Sequence, residues 1–276
     1  MKSNYIQKHY LDLVNLCKIY PTKKGPFTVL EKFNLQVQEG EFVCLIGHSG
    51  CGKSTILTMV AGLNEISNGN VALAGHEING AGPERAVVFQ SPSLLPWLTA
   101  YENVMLGVKK AFAHATKKER DQIVRYYLES VGLGDNMQKK PGELSQGMCQ
   151  RVGIARAFAL KPKLMILDEP LGMLDALTKQ ELQDLFVKLH GEHKLTTLMV
   201  THDVDEALYL SDRVVMMTNG PNATLGDILE NTLPRPRVRE DIMSHPDYYK
   251  LRDYLIDFLE EQDHQKEALS KTGTDN

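Results

Sequence analysis

The chain has 276 residues, of which 42% are hydrophobic and 24% are charged, and its formal net charge is −4. This composition is typical of a globular protein with one large domain or two ordinary ones, and it lacks the overall basic excess that attracts nucleic acid. No apolar run approaches the roughly 18 residues that span a bilayer, and the N-terminus has no apolar signal core. The four cysteines form no C-x-x-C pair, which argues against a zinc site and favours a reducing compartment.

Three strands are predicted before the first helix. Partly alternating apolar and polar residues predict strands over 11–20 and 27–37, with a Pro/Gly loop at 21–26. The continuous apolar run 42–46 predicts a buried strand. Tyr20, at the end of the first strand, is open to two interpretations: its ring stacks on a nucleobase, or it takes part in ordinary packing.

The segment 47–54 has the pattern G-x-x-x-x-G-K-[ST] between a strand and a helix, which is the context of a phosphate-binding loop. Its glycines let backbone N–H groups turn towards phosphate oxygens, and the following helix presents its positive end to the anion. Lys53 is expected to reach the β- and γ-phosphates, and the Ser54 hydroxyl to ligate Mg²⁺. Cys51 is either a small residue tolerated in the loop or a redox-sensitive thiol.

The middle of the chain changes from strands to helices. A short strand at 71–73 is predicted between turns at 68–70 and 74–76, and a strand at 85–89 ends at Gln90. Gln90 either points at a ligand or is a solvated loop residue. Helical patterns at 101–108, 117–131 and 146–160 then follow without strand signals, so residues of about 92–160 are predicted to form a helical subdomain inserted into an α/β core.

A pair of carboxylates follows the next buried strand. The apolar run 164–167 ends at Asp168 and Glu169, and carboxyl ends of parallel strands are where such sheets bind ligands. Together with the phosphate loop, Asp168 is expected to hold Mg²⁺ and Glu169 to polarise an attacking water.

The last third of the chain alternates helices and strands, which predicts a mainly parallel core sheet. His202, just after the predicted strand 196–200, either donates to a γ-phosphate or is an ordinary loop histidine. The predicted elements are helices at 178–190, 204–211 and 246–261, a strand at 213–217, a Pro/Arg linker at 233–239 and a disordered end at 263–276.

Taken in order, these motifs resemble the nucleotide-binding subunits of ABC transporters over nearly the whole chain. Residues 47–54 match the Walker A motif and 164–169 the Walker B motif with its catalytic glutamate, and Leu144–Met148 resembles the LSGGQ signature. The resemblance implies ATP contacts from Tyr20, Gly47, His48, Ser49, Gly50, Cys51, Gly52, Lys53, Ser54, Thr55 and Gln90. It implies catalytic roles for Lys53, Glu169 and His202, magnesium ligands at Ser54, Gln90 and Asp168, and a D-loop at Asp175.

The signature differs from the family pattern at two positions, where Gln146 replaces the first glycine and Met148 the final glutamine. Ser145 and Gly147, which approach the γ-phosphate in the family, are retained, and Ser145 also suits a helix N-cap. The resemblance implies a head-to-tail pair of ATPase subunits in which Ser145, Gln146 and Gly147 of one cap the ATP of the other. The second subunit is either another copy or a different ATPase chain.

The residues in and around the motifs, at 46–55, 87–99 and 233–239, resemble the nitrate/sulfonate/taurine importer ATPases. They resemble most of all the short cyanobacterial nitrate-transport ATP-binding subunits, whose relatives serve bicarbonate and cyanate. The implied fold is an α/β P-loop NTPase with an N-terminal antiparallel β subdomain, comprising residues 10–235, followed by a C-terminal helical extension at 236–276. The implied function is ATP hydrolysis, with ATP and Mg²⁺, that energises nitrate or nitrite import; sulfonate, taurine, bicarbonate or cyanate are the alternatives.

The implied partners are transmembrane permease subunits and, indirectly, an extracytoplasmic solute-binding protein, but no nucleic acid, at the cytoplasmic face of the plasma membrane. Gln90 and the apolar segment 94–98 would transmit movement to the permease, unless Trp97 is simply subdomain core. Two other functions compete: a soluble ABC ATPase that acts on DNA or ribosomes, and a non-hydrolysing regulatory subunit. The single cassette without long coiled-coil insertions argues against the first. The second is disfavoured by four intact residues: Lys53, Asp168, Glu169 and His202.

Overall fold

The computed structural model describes residues 9–272. Its strands are β1 (Leu11–Thr22), β2 (Gly25–Val37), β3 (Phe42–Ile46), β4 (Asn68–Leu73), β5 (His76–Glu77), β6 (Arg85–Val88), β7 (Leu164–Asp168), β8 (Thr196–Val200), β9 (Arg213–Met217) and β10 (Leu225–Glu230). Its helices are α1 (Lys53–Val60), α2 (Ala100–Ala111), α3 (Lys117–Ser130), α4 (Gln146–Ala159), α5 (Ala176–His193), α6 (Val204–Leu210), α7 (Arg239–Met243) and α8 (Tyr248–Thr272).

The chain folds as two compact units. The first unit comprises the described residues up to 81 and those from 200 onwards, and the second comprises Gly82–Met199. The first unit therefore contains the phosphate-loop segment and the chain's last helix. The second contains the predicted helical subdomain and the pair of carboxylates.

An antiparallel sheet with strand order β2-β1-β4-β5 forms the N-terminal part of the first unit. The inward side chains of β1 and β2 are buried, among them Leu11, Leu13 and Phe33. The pairing of β1 with β4 shifts register between Val14 and Cys17, which marks a bulge that bends the strand. The two long strands thus give this part of the unit a core of its own.

The phosphate loop is carried by a second group of strands in the same unit. Strand β3 pairs in parallel with β9, and β10 adds to β9 in the antiparallel sense. All five side chains of β3 are buried, as expected for a parallel strand that is covered on both faces. This burial fixes the end of β3, from which the phosphate loop leaves.

Helix α8 packs along the first unit through most of its length. The Leu255 side chain is fully buried, and the Tyr248 hydroxyl donates a hydrogen bond to Asp205 Oδ1 at 2.8 Å. The Phe258 ring lies against Gly226, where an added Cβ would come within 2.5 Å of the ring edge. The C-terminal helix is therefore part of the packed first unit.

In the second unit, strands lie in the order β8-β7-β6, and β6 pairs in parallel with β7. Helices α2, α3 and α4 pack against one another, and α4 also contacts β6. Gly107 of α2 allows a close approach, because a Cβ there would lie 2.9 Å from Leu160 Cδ2 at the end of α4. Helix α4 is thus held between the other helices and the sheet.

The structure confirms the predicted helices and strands, corrects the expected bounds of some, and adds β5, α7 and β10, which were not predicted. Residues 68–70, predicted as a turn, belong to β4: Asn68 and Asn70 pair with β1 on either side of its bulge, and Gly69 lies between them at a φ of 85°. Helix α8 continues to Thr272, so the expected disorder from residue 263 is wrong as far as 272, and residues 273–276 lie outside the described part. Within 9–272, no helix is both long and apolar enough to cross a membrane.

Candidate active site

The phosphate loop, residues 47–54, makes a tight turn between β3 and α1. Gly47 has a φ of 154°, and a Cβ there would lie 2.9 Å from Cys51 Sγ. Gly52, the N-cap of α1, has a φ of 96°, which is strained for any residue with a side chain. No side chain caps α1, and its first turn contains no acidic residue. The loop therefore combines close backbone curvature with the positive end of a helix, as an anion site requires.

The Lys53 side chain is folded back over this loop. Its ammonium Nζ donates to the Gly47 carbonyl oxygen at 2.6 Å and to the His48 carbonyl oxygen at 2.9 Å. The side chain is buried, whereas Ser54, next to it in the first helical turn, is exposed. The other predicted contact residues of this segment are half-buried or exposed: His48, Ser49, Gly50 and Thr55.

Cys51 points into the loop rather than away from it. Its Sγ lies 3.8 Å from Lys53 Nζ. Burial raises the pKa of the Cys51 thiol, and the nearby Lys53 charge opposes this only in part. Since the thiolate is the reactive form of cysteine, these surroundings favour the interpretation of Cys51 as a small packing residue over a redox-sensitive thiol.

His202 lies beside the strand that leads into the phosphate loop. The backbone N–H of Thr201 donates to the Leu45 carbonyl oxygen of β3 at 3.3 Å. The next residue but one, Asp203, caps α6 by accepting from the Glu206 N–H at 2.9 Å. These bonds fix the backbone on both sides of His202, whose side chain is exposed. His202 therefore follows a residue that is hydrogen-bonded to β3, and the phosphate loop begins at the carboxyl end of the same strand.

Tyr20 lies near the end of β1 with 37% of the residue exposed. Its hydroxyl accepts a hydrogen bond from Asn64 Nδ2 at 2.9 Å, and Lys18 Nζ lies 4.8 Å from the ring centroid. The ring is therefore held in place on the surface of the first unit. Its stacking on a nucleobase stays a prediction.

In the second unit, Gln90 and Glu169 converge on Gly172. The Cβ position of Gly172 is 3.2 Å from Gln90 Nε2 and 3.6 Å from Glu169 Oε2. Glu169 has a left-handed φ of 46°, a conformation that costs a non-glycine residue about 1–3 kcal/mol and that clusters at functional sites. Asp168, half-buried at the end of β7, directly precedes it.

Gln150 of α4 holds these two segments, and the sequence analysis assigned it no role. Its Nε2 donates to the Phe89 carbonyl oxygen at 3.2 Å and to the Pro170 carbonyl oxygen at 2.7 Å. Phe89 directly precedes Gln90 and Pro170 directly follows Glu169. Because Gln150 is fully buried, it acts as a fixed clamp between them. Its place four residues after Gln146 in the predicted signature helix was the only available signal.

The signature residues lie at the beginning of α4, next to the beginning of α5. Ser145 caps α4 by accepting from the Met148 N–H at 3.2 Å, and Gln146 is its exposed first residue. Asp175 caps α5 through the Thr178 N–H and hydroxyl, at 3.1 and 2.7 Å. The Thr178 hydroxyl and N–H hold the pKa of the Asp175 carboxyl below its usual range. A Cβ at Gly147 would lie 2.5 Å from Thr178 Cγ2, so the start of α4 is in contact with the first turn of α5.

The docking segment, residues 94–98, is organised by one buried side chain. Asn103 Oδ1 accepts from the Leu95 N–H at 2.8 Å, and its Nδ2 donates to the carbonyl oxygens of Leu95 and Leu98, both at 3.2 Å. The Trp97 ring is not core, because 66% of the residue is exposed. The segment is thus a fixed turn that presents an aromatic ring to its surroundings.

Comparison with known proteins places this architecture in a family. The model of the ABC transporter family matches residues 30–172, about half of the chain. The fold is similar to the dimeric post-hydrolysis state of the ATP-binding cassette MJ0796 bound to ADP and Pi, with a TM-score of 0.72 and 30% identity over 81% of this chain and 100% of the other. The fold is that of an ABC-type P-loop NTPase.

Two curated relatives extend the match to nearly the whole chain. The bicarbonate transport ATP-binding protein CmpD of Synechococcus elongatus is 56% identical over 91% of this chain and 90% of its own length. The nitrate import ATP-binding protein NrtD of the same organism is 52% identical over 88% of each chain. The chain belongs to the ABC transporter family as an ATP-binding, ATP-hydrolysing subunit of an importer.

Replacing Gly147 with alanine tests the contact between the start of α4 and the first turn of α5. The new methyl group overlaps Thr178 Cγ2, which is stiff because threonine is β-branched and its hydroxyl is bonded to Asp175. Overpacking of this kind costs about 1–3 kcal/mol, so we expect the ATPase rate to fall about 10-fold or more while ATP binding is retained.

Steady-state ATPase assays and nucleotide titration of Gly147→Ala measure both effects. Gly142→Ala is the matched control, because no atom lies within 4 Å of the Cβ position at Gly142. Wild-type ATPase activity in Gly147→Ala would show that this contact does not matter for hydrolysis.

Proposed function

We propose that this chain binds ATP on the phosphate loop and hydrolyses it to drive import of a small inorganic anion, with nitrate as the first candidate. The observation that supports the ATP site is the closed turn of the phosphate loop at the uncapped start of α1. The observation that supports the anion is the similarity, over about nine tenths of the chain, to ATP-binding subunits named for nitrate and bicarbonate.

Phosphate binding is assigned to the loop amides and Lys53. The ammonium of Lys53 already lies over the loop, bonded to two carbonyl oxygens. Phosphate oxygens are stronger partners for an ammonium than neutral carbonyls, because the hydrogen bond is then charge-assisted at both ends. Tyr20 is assigned to adenine by stacking, for which its held, partly exposed ring is suited.

Hydrolysis is assigned to Glu169, with His202 and Gln90 in support. The Glu169 carboxylate accepts the proton of, or orients, the water that attacks the γ-phosphate, and the exposed His202 side chain donates to that phosphate. The Gln90 amide lies close to Glu169 at Gly172 and would contact the region of the γ-phosphate. The chain then continues from Gln90 into the docking segment. The two hydrogen bonds from the buried Gln150 side chain keep the backbone segments that carry Gln90 and Glu169 in a fixed position relative to each other.

Magnesium is assigned to Ser54, Gln90 and Asp168. The hydroxyl, amide and carboxylate oxygens of these residues are the hard donors that Mg²⁺ prefers, and Ser54 and Asp168 are exposed and half-buried respectively. When bound, the ion neutralises charge on the β- and γ-phosphates.

Completion of the site is assigned to a second ATP-binding subunit, either another copy or a related chain. Ser145, Gln146 and Gly147 form the start of α4, whose N-terminal end favours a phosphate. Asp175 lies next to them at the start of α5. These residues would face the ATP held by the phosphate loop of the partner subunit. This arrangement makes closure of the pair depend on ATP.

Coupling to transport is assigned to the docking segment. Trp97 on a turn fixed by Asn103 provides an aromatic contact of the kind enriched at interfaces. Its partner would be a transmembrane permease, itself served by an extracytoplasmic solute-binding protein, with this chain peripheral to the cytoplasmic face of the membrane. We expect that the transported anion does not bind in the nucleotide site. Nitrate and bicarbonate are both small planar monoanions, so the distinction between them resides in those partners.

Replacing Glu169 with glutamine should trap an ATP-bound pair. The amide cannot take a proton, so hydrolysis should fall by at least about 100-fold, the contribution of a general base, while ATP binding is retained. Size-exclusion chromatography with light scattering, with and without ATP, measures the pairing. The double variant Lys53→Ala/Glu169→Gln should remain monomeric; a Glu169→Gln protein that is saturated with ATP yet monomeric contradicts pairing between two copies of this chain.

Purification from membranes in mild detergent, followed by mass spectrometry, should recover a permease and a solute-binding protein with this chain. Calorimetric titration of that binding protein with nitrate, bicarbonate and taurine then identifies the anion. Nitrate binding supports the first candidate, and bicarbonate binding replaces the anion but keeps the mechanism. Recovery of ribosomal or DNA-bound partners without any permease would refute the importer function.

A further inference from the structure

The second residue of the phosphate loop, His48, is held by the C-terminal helix. His48 Nε2 lies 2.8 Å from the carbonyl oxygen of Leu259 in α8, and since a carbonyl oxygen can only accept, this nitrogen is the donor. His48 Nδ1 lies 3.4 Å from Asp263 Oδ1, and this contact is an ion pair when the ring is protonated. Both ring nitrogens thus face oxygen atoms of one turn of α8, residues 259–263, which we call the bracing turn.

The bracing turn also supports the phosphate loop from a second side. The Gln262 side chain is buried, and its Oε1 accepts a hydrogen bond from the Asn219 N–H at 3.1 Å. Asn219 Nδ2 in turn donates to the Gln262 carbonyl oxygen. The adjacent Gly220 packs on the phosphate loop, because a Cβ there would lie 3.2 Å from the Gly50 carbonyl oxygen. Gln262 therefore fixes a segment that lies directly against the loop.

The rest of α8 is anchored independently of these contacts. Near its start, Tyr248 and Arg252 both donate to Asp205 Oδ1, at 2.8 and 2.7 Å. In its middle, Leu255 is fully buried and Phe258 packs on Gly226. The Asp263 side chain, by contrast, is 58% exposed. Removal of Asp263 therefore alters the contact with His48 without dislodging the helix.

We propose that the bracing turn positions the phosphate loop for ATP, through His48 directly and through Gln262, Asn219 and Gly220 indirectly. The proposal rests on the assignment of ATP to this loop and goes beyond it, because it makes the C-terminal helix a determinant of nucleotide affinity. Asp263 and Gln262 are positioning residues. They hold the backbone whose N–H groups receive the phosphates, and they take no part in the hydrolytic step.

A positioning role and a purely structural role differ in their kinetic effects. Loss of loop alignment weakens ATP binding in the ground state, so it raises KM and leaves kcat nearly unchanged. General destabilisation of the fold lowers the amount of active protein, so it lowers the apparent kcat and the Tm without changing KM. The ratio of these effects therefore separates the two roles.

The test measures steady-state ATPase kinetics, Tm and affinity for a fluorescent ATP analogue in full-length variants. Asp263→Ala should raise KM about 3-fold, as an exposed pair of this kind permits. Gln262→Ala should raise KM about 10-fold, since it removes the hydrogen bond that the buried Gln262 side chain accepts from the Asn219 N–H. Glu260→Ala is the matched control. It removes an exposed carboxylate from the same turn, and no contact between Glu260 and His48 is present within the described residues.

A double-mutant cycle tests whether Asp263 acts through His48. If Asp263 acts through His48, Asp263→Ala should have no further effect on KM in a His48→Ala background. An unchanged KM in both Asp263→Ala and Gln262→Ala, or an equal rise in Glu260→Ala, would overturn the proposal. The proposal would also be overturned if Asp263→Ala raised KM as much in the His48→Ala background as it does in the wild type.

Lys53→Ala keeps this inference separate from the proposed function. If Lys53→Ala loses ATP binding while Asp263→Ala and Gln262→Ala behave like the wild type, the ATP site stands and the bracing role fails. If Lys53→Ala retains ATP binding, the assignment of ATP to the phosphate loop is wrong, and the bracing role fails with it.

Discussion

The chemistry of the protein depends on one tight turn of backbone between a buried strand and a helix. Strand β3 is fixed by burial of all five of its side chains, so the point at which the chain must turn is fixed as well. Gly47 and Gly52 make the turn possible where a Cβ would collide or be strained. Lys53 closes it through two carbonyl oxygens. The tight turn and the Lys53 ammonium therefore lie together at the start of α1.

The N-terminal ends of α1, α4 and α5 differ in how their first N–H groups are bonded. Helix α1 begins at a glycine that offers no cap, which leaves its first N–H groups for an anion. Helices α4 and α5 begin at Ser145 and Asp175, whose side chains cap them, and they touch through Gly147 and Thr178. The contrast agrees with the proposed ATP site, in which α1 of one subunit binds the phosphates and the starts of α4 and α5 of the partner subunit cover them. The left-handed backbone of Glu169 and the buried clamp by Gln150 fix the carboxylate that we propose to be catalytic.

Local signals explain what the sequence could predict and what it could not. The buried runs at β3 and β7 and the glycine spacing of the phosphate loop are local patterns, so they were predictable. Strand β10 was missed because Gly226 and Asp227 interrupt its apolar pattern and most of its residues are only half-buried. The end of α8 is polar, and its contacts with His48 join residues more than 200 positions apart. The Gln150 clamp is also a long-range contact, and the sequence offered only its place in the signature helix.

The central claim is that two chains build each ATP site, one with Lys53 and the other with its signature. Mixing Lys53→Ala with Gly147→Ala in one ATPase assay tests it most directly, because each variant alone lacks one half of every site. In randomly mixed pairs, half contain both variants, and each of these has one intact site, so about a quarter of the wild-type sites should be restored. Activity no greater than the sum of the two separate variants would contradict an ATP site built by two copies of this chain.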